Sequence, residues 1–135
     1  MPPIPVEVAN SLQVYDPATD KWFKGLWSIF REDGANKYAA INFSLAETKI
    51  IITGTAGKRI CVSAIVLVVG GETNLTLYDA STAISGPMDL GGSSEPRGMV
   101  IPLGITPLEL GFGNDFKIGS SIAVQVSGTV IYQLV

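Results

Sequence analysis

The sequence predicts an all-β domain in which antiparallel strands form a sandwich or a barrel. Short runs rich in β-branched residues recur from residue 49 to the C-terminus, with turn residues about every eight to twelve positions. Several of these runs alternate apolar and polar side chains with a period of two. No segment of residues 49–135 has helical spacing over two turns, and a parallel sheet would require crossover helices there.

Four strands are predicted in the first half of this region. Residues 49–53 are a β-branched run, and residues 59–69 form the longest strand, which we place inside a sheet because a long exposed edge invites aggregation. Residues 74–79 alternate strictly. Residues 83–90 form a shorter strand that Gly86-Pro87 bends or ends, because proline has no N–H to donate to a ladder.

The second half begins with a polar loop over residues 91–98 and continues as four more strands, over residues 99–103, 107–110, 116–120 and 122–132. The last one alternates most clearly. Ile122, Val124 and Val126 are expected to face one way, and Gly128 is predicted to mark a β-bulge.

The N-terminal part of the chain has a less regular residue pattern than residues 49–135. Around the turn at Asp16-Pro17, residues 11–14 and 21–23 are expected to pair as a hairpin. Residues 22–30 also fit helical spacing, and we favour the hairpin. Although residues 38–45 alternate like a strand, we assign residues 1–48 to an N-terminal arm or hairpin region that packs on the domain or on a neighbour, and residues 49–135 to the sandwich.

Composition excludes several function classes. Apolar residues make up 47% of the 135, and charged residues only 16%, against a typical ~25%. The net charge is −3 and the only adjacent basic pair is Lys58-Arg59, so no nucleic-acid footprint is present. The longest apolar run, residues 64–69, is far shorter than the ~20 residues of a membrane helix, and no secretory signal opens the chain. We therefore expect neither nucleic acid nor membrane as a partner, and synthesis in the cytoplasm of the host cell.

Catalytic and metal-binding chemistry has little support. Histidine is absent, and Cys61 is the single cysteine, expected to pack as a small core residue. Most of the acidic residues that a carboxylate pair would need lie in or beside predicted turns, where such residues cap the backbone; the five candidates are Asp79, Asp89, Glu95, Glu109 and Asp115. We expect no enzyme activity, no cofactor and no metal.

An aromatic cluster is the most informative local feature of the N-terminal region. It has two interpretations: filling of the core, and an anchor that docks on a partner, since tryptophan and tyrosine dominate binding hot spots. The candidate partner-binding residues are Trp22, Phe23, Leu26, Trp27 and Phe30.

A family resemblance adds a concrete expectation. The segments that carry it are residues 14–19 (VYDPAT), 51–60 (IITGTAGKRI), 73–79 (TNLTLYD), 82–88 (TAISGPM), 98–104 (GMVIPLG) and 122–132 (IAVQVSGTVIY). Together they resemble the head decoration, or cement, proteins of tailed phages. The motifs are strand and turn patterns rather than catalytic signatures.

The resemblance implies a jelly-roll-like sandwich on the exterior of an icosahedral capsid. Such a protein binds the major capsid protein, associates with itself as a homodimer or homotrimer, and stabilises the head. The alternative function is a receptor- or carbohydrate-binding module of a phage tail or fibre, in which Tyr78, Trp22 or Trp27 would stack on a sugar.

Overall fold

A computed structural model of the chain describes residues 13–16, 21–24, 36–91, 95–104 and 106–135. These ranges contain twelve β-strands and no helix. The strands are β1 (Gln13–Asp16), β2 (Lys21–Lys24), β3 (Lys37–Phe43), β4 (Thr48–Ile52), β5 (Ile60–Val69), β6 (Thr73–Asp79), β7 (Thr82–Ala83), β8 (Met88–Leu90), β9 (Arg97–Pro102), β10 (Leu108–Glu109), β11 (Phe116–Ser120) and β12 (Val126–Leu134).

The first two strands form the predicted hairpin. β1 and β2 pair antiparallel, with Val14 opposite Phe23 and Tyr15 opposite Trp22. The strand conformation at residues 21–24 is the one we favoured over a helix. The side chains of β1 and β2, and the whole of residues 25–35, lie outside the described part of the chain.

Ten strands form two antiparallel sheets that pack against each other. In the larger sheet the order is β3-β12-β5, with β9 and β10 sharing the far side of β5. In the smaller sheet the order is β4-β11-β6, with β7 and β8 sharing the far side of β6. If β9 with β10, and β7 with β8, are each counted as one interrupted strand, each sheet has four strands. The order is β3-β12-β5-β9 in the larger sheet and β4-β11-β6-β8 in the smaller one. This is the strand order of a jelly roll, and it confirms the predicted antiparallel β-sandwich.

The sandwich includes a strand that the sequence analysis assigned to the N-terminal region. β3 pairs with β12 along all seven of its residues, and Ile41, only 2% exposed, belongs to the core together with Phe43. The change of residue pattern near residue 48 is therefore not the start of the sandwich, whose first described strand begins with Lys37.

The core fills the space between the two sheets, and a bulge in β5 widens its contribution. Ala64 lies opposite Ile131 while Val62 lies opposite Tyr132, so Ser63 is an extra residue in β5. The bulge reverses which side chains face inward. As a result, five apolar residues of β5 are buried, two before the bulge and three after it: Ile60, Val62, Ile65, Leu67 and Val69.

Two details of the strand predictions differ from the structure. The predicted bulge at Gly128 is wrong, because the register shift of β12 against β5 lies between Ile131 and Tyr132. β12 also begins at Val126 rather than at Ile122, which is exposed in a bend. The predicted interruption near Gly86-Pro87 is confirmed, since β7 ends at Ala83 and β8 begins at Met88.

The described ranges contain no helix of the length and apolar character that a membrane crossing requires.

Candidate interaction surface

On the outer face of the larger sheet, twelve neighbouring positions carry no charged side chain. Because side chains alternate across a strand, every second residue of β3, β12, β5 and β9 points away from the core. We call this set the charge-free face: Tyr38, Ala40, Asn42, Ser127, Thr129, Ile131, Ala64, Val66, Val68, Gly98, Val100 and Pro102.

The strand register places the valines of this face together. Val66 lies directly between Val100 and Thr129, and Val68 lies between Gly98 and Ser127. Their exposure is high for apolar side chains in a sheet: 41% for Val66, 47% for Val68 and 65% for Val100. The three valines form the apolar centre of the face.

The edge of the charge-free face that β3 forms has a more polar character. Tyr38 is 69% exposed, and Asn42 accepts a hydrogen bond from Gln125 Nε2 at 2.8 Å. An amphipathic tyrosine and an amide at the rim of an apolar centre resemble the layout of protein interfaces, in which the apolar core is bordered by polar groups.

The outer face of the smaller sheet is different in kind. Lys117 and Asp89 lie on it, with polar side chains such as Thr76 between them. Tyr78 also lies there, half-buried, with its ring over Gly119, where an added Cβ would come within 3.0 Å of the ring. The charge-free face is therefore the less polar of the two surfaces, which makes it the candidate interaction surface.

Strand geometry gives the size of the charge-free face. Four strands about 4.8 Å apart and about five residues of ~3.3 Å each span roughly 300 Å². A standard protein–protein interface buries about 800 Å² on each partner. The face alone is therefore well below the size of a standard interface, and one contact of this size is not enough for a tight complex.

Two of the acidic residues singled out in the sequence, Asp79 and Asp115, hold loops in place. Asp79 accepts hydrogen bonds from Gly111 N at 3.0 Å and from Asn114 Nδ2 at 2.8 Å. Asp115 Oδ1 accepts one from Gly54 N at 2.6 Å. These carboxylates tie the loop after β4 and the loop after β10 to the end of β6, as turn-capping acids do. Backbone and amide donors thus engage both oxygens of Asp79 and one oxygen of Asp115.

A second cluster surrounds the single cysteine. Cys61 lies opposite Glu109 in β10 and Gln133 in β12, and it is buried as predicted. Burial raises the pKa of the thiol, the negative charge of Glu109 raises it further, and Arg59 lowers it in part. The thiol is therefore protonated and weakly nucleophilic at neutral pH.

Arg59 is fixed beside this cysteine by two contacts. Its Nη1 lies 3.2 Å from Glu109 Oε2, and its guanidinium carbon lies 4.3 Å from the centre of the Phe112 ring. An ion pair combined with stacking on an aromatic ring orders a guanidinium at a partly exposed site. The two contacts hold the guanidinium just before β5, while its Nε is buried without a hydrogen-bond partner among the described residues.

Metal-binding geometry does not occur among the described residues: they contain no group of three or more histidine, cysteine, aspartate or glutamate side chains close enough to hold an ion.

The predicted partner-binding residues are described only in part. The backbone of Trp22 and Phe23 lies in β2, while the side chains of these two residues, together with Leu26, Trp27 and Phe30, lie outside the described part of the chain. Their role as a partner anchor stays a prediction. For the alternative carbohydrate site, only the Tyr78 side chain is described, on the smaller sheet.

Sequence reasoning missed the charge-free face, although β5 carries a signal for it. Residues 64–69 are apolar at both odd and even positions, whereas a strand with one face in water would alternate. We interpreted this run as a strand inside a sheet, which is correct because β5 pairs on both sides. The same run also places apolar side chains on both faces of that sheet.

Comparison of the chain with protein-family models, with curated proteins and with solved structures finds no match.

Proposed function

We propose that this chain is an adhesive structural protein of the head decoration type found in tailed phages. It binds the exterior of the capsid through the major capsid protein, stabilises the head, associates with itself, and carries out no catalysis. The observation that carries the proposal is the charge-free face on one sheet of a jelly roll. The sequence motifs that resemble decoration proteins support the same assignment, and jelly rolls are frequent in viral shells.

The physical mechanism is the removal of apolar surface from water. At about 25 cal/mol per Å², covering roughly 300 Å² is worth at most about 7 kcal/mol. Bringing two bodies together costs an estimated 4–15 kcal/mol. A single contact is therefore close to break-even, and the effect depends on repetition over a symmetric particle, where neighbouring contacts raise the effective concentration of one another.

Binding to heads tests the proposal. The material is heads of the encoding phage, assembled without this chain. Purified wild-type protein is expected to co-sediment with these heads and to raise the temperature at which they come apart. Absence of co-sedimentation at saturating protein would overturn the proposal.

A matched pair of variants assigns the binding to the charge-free face. Val68 on this face and Ile50 on the smaller sheet are equally exposed, at 47% each. Val68→Glu places a charge in the apolar centre and is expected to abolish head binding, whereas Ile50→Glu is expected to bind like wild type. Loss of head binding in both variants, or in neither, would show that this face is not the docking surface.

A further inference from the structure

We propose that two copies of this chain pair through the free edge of β3, as antiparallel strands related by a two-fold axis at Ala40. The inference rests on the self-association part of the proposed function and names the surface and the symmetry for it. It uses the rim of the larger sheet and does not depend on what covers the charge-free face.

The sheet edges within the described residues differ in how well they are protected against pairing. Native edge strands are blunted by shortness, by charge, by proline or by bulges. β7, β8 and β10 have only two or three residues, β9 contains Arg97 and ends at Pro102, and β4 contains Lys49 and a register shift against β11. Each of these edges carries at least one protective feature.

The edge at β3 has none of these features along most of its length. The strand has seven residues in unbroken register with β12, and its only charge is Lys37 at the first position. No described residue pairs with its other side. Six consecutive uncharged residues without proline make it the natural template for an added strand.

Hydrogen bonds at the two ends of β12 reveal which backbone groups of β3 are free. Gly70 N donates to Gln125 O at 2.8 Å, and Arg59 exchanges two hydrogen bonds with Val135, at 2.8 and 3.0 Å. In a strand the N–H and C=O of one residue point to the same side, and the side alternates along the chain. The odd-numbered residues of β12 therefore face β5, and the even-numbered residues face β3.

The register then assigns the groups of β3. The even-numbered residues of β12 lie opposite the odd-numbered residues of β3, which use their N–H and C=O groups in that ladder. The backbone groups of Tyr38, Ala40 and Asn42 are consequently directed to the open edge. The same three residues place their side chains on the charge-free face, and all three are exposed.

Among the described residues, the geometry of this edge matches that of a second copy. Ala40 is the middle one of the three free residues, so an axis through it uses all of them in an antiparallel ladder of six hydrogen bonds. Ala40 then lies opposite Ala40 of the partner subunit, and Tyr38 lies opposite Asn42 of the partner subunit. The residue on the axis has a small side chain, and no like charges come face to face.

The pairing has a consequence for the surface. The two larger sheets become one continuous sheet of eight strands, and because the axis is perpendicular to the sheet, both charge-free faces lie on the same side. Their combined area is roughly 600 Å², twice that of one copy. The ladder is only about 23 Å long, so the dimer itself is expected to be weak and dependent on concentration.

Charge swapping at the axis tests the proposal with the purified chain alone. Sedimentation velocity should show wild-type dimers that dissociate on dilution. A40K and A40E each set a charge against its own symmetry mate, so each variant alone should dissociate roughly tenfold more readily or more. An equimolar mixture of A40K and A40E should recover dimers, because position 40 then meets the opposite charge.

The matched control is Ala83→Lys, which places the same charge on an exposed alanine at the edge of the smaller sheet. This variant should dimerise like wild type. A wild-type chain that is monomeric up to roughly 1 mM, a mixture that does not recover dimers, or equal weakening by Ala83→Lys would each overturn the edge pairing. Since no capsid is present, none of these outcomes depends on head binding, which the Val68 and Ile50 variants test separately.

Discussion

The carbonyl oxygen of Val66 lies against the α-carbon of Gly128 so closely that no Cβ fits at position 128. An added Cβ would overlap that oxygen and would lie 2.7 Å from the α-carbon of Leu67. Two central strands of the larger sheet, β5 and β12, meet at this point, so neither backbone can move aside without disturbing the ladder on both sides. The contact explains why glycine stands inside this strand.

We predict that Gly128→Ala destabilises the domain by about 3 kcal/mol or more, the upper range for overpacking a dense interior. Urea unfolding followed by tryptophan fluorescence or circular dichroism measures the loss. Gly86→Ala is the control, because nothing lies within 4 Å of a Cβ there, and its change should stay within about 0.5 kcal/mol. Equal stability of the two variants would show that the strands do not approach at Gly128 as described.

Removing the Asp79 carboxylate should loosen the loops at one end of the sandwich. Asp79→Ala leaves Gly111 N and Asn114 Nδ2 without their acceptor, and we expect a loss of about 1.5–3 kcal/mol, as for hydrogen bonds to a charged group. Asp89→Ala changes an exposed acid of the same sheet and should be nearly neutral. Thermal unfolding of both variants measures the difference, and similar melting temperatures would argue against a loop clamp at Asp79.

Cys61 should make the domain less stable in alkali. Since burial and Glu109 raise the pKa of its thiol above the ordinary value of 9.0, the folded state holds the proton more tightly than the unfolded state does. The stability that this provides is complete below pH 9 and is lost as the pH rises through the folded pKa. Lysine and tyrosine also titrate in this range, so the quantity to measure is the difference between wild type and Cys61→Ala.

In that comparison the free energy of unfolding of wild type should fall more steeply than that of Cys61→Ala as the pH rises above 9.0. Parallel pH profiles would contradict the raised pKa. A thiol reagent gives an independent readout: the native protein should react slowly at neutral pH, and reaction should become fast in denaturant.

Deletion of residues 1–30 should leave the sandwich folded and remove partner binding through the aromatic cluster. All strands of the two sheets begin at or after Lys37, so the truncated chain keeps every ladder of the sandwich. Circular dichroism and size-exclusion chromatography report the fold, and co-sedimentation with undecorated heads reports the binding. An unfolded truncated chain would place Trp22, Trp27 and their neighbours in the core. A folded truncated chain that still binds heads would show that the aromatic cluster is not part of the binding site.

The elements themselves were predictable because they depend on local chemistry. Alternating β-branched runs, glycine turns and Pro87 located β4 to β12 to within a few residues, and the hairpin at Asp16-Pro17 was found in the same way. Gly128 shows the limit of this reasoning. Its place in a strand suggested a bulge, but the bulge lies at Ser63, because register is decided by two strands together and not by one.

By itself, then, the sequence determined that this chain folds as β-strands, that it contains no histidine chemistry, and that β5 carries apolar residues at both odd and even positions. Only the tertiary structure decided that β3 belongs to the sandwich, that twelve uncharged positions from four strands form one face, and that Tyr38, Ala40 and Asn42 direct free backbone groups at an open edge. Those features come from strands far apart in the chain. A period of two tells which residues share a side of one strand, whereas pairing across the sheet tells which strands share a side of the protein.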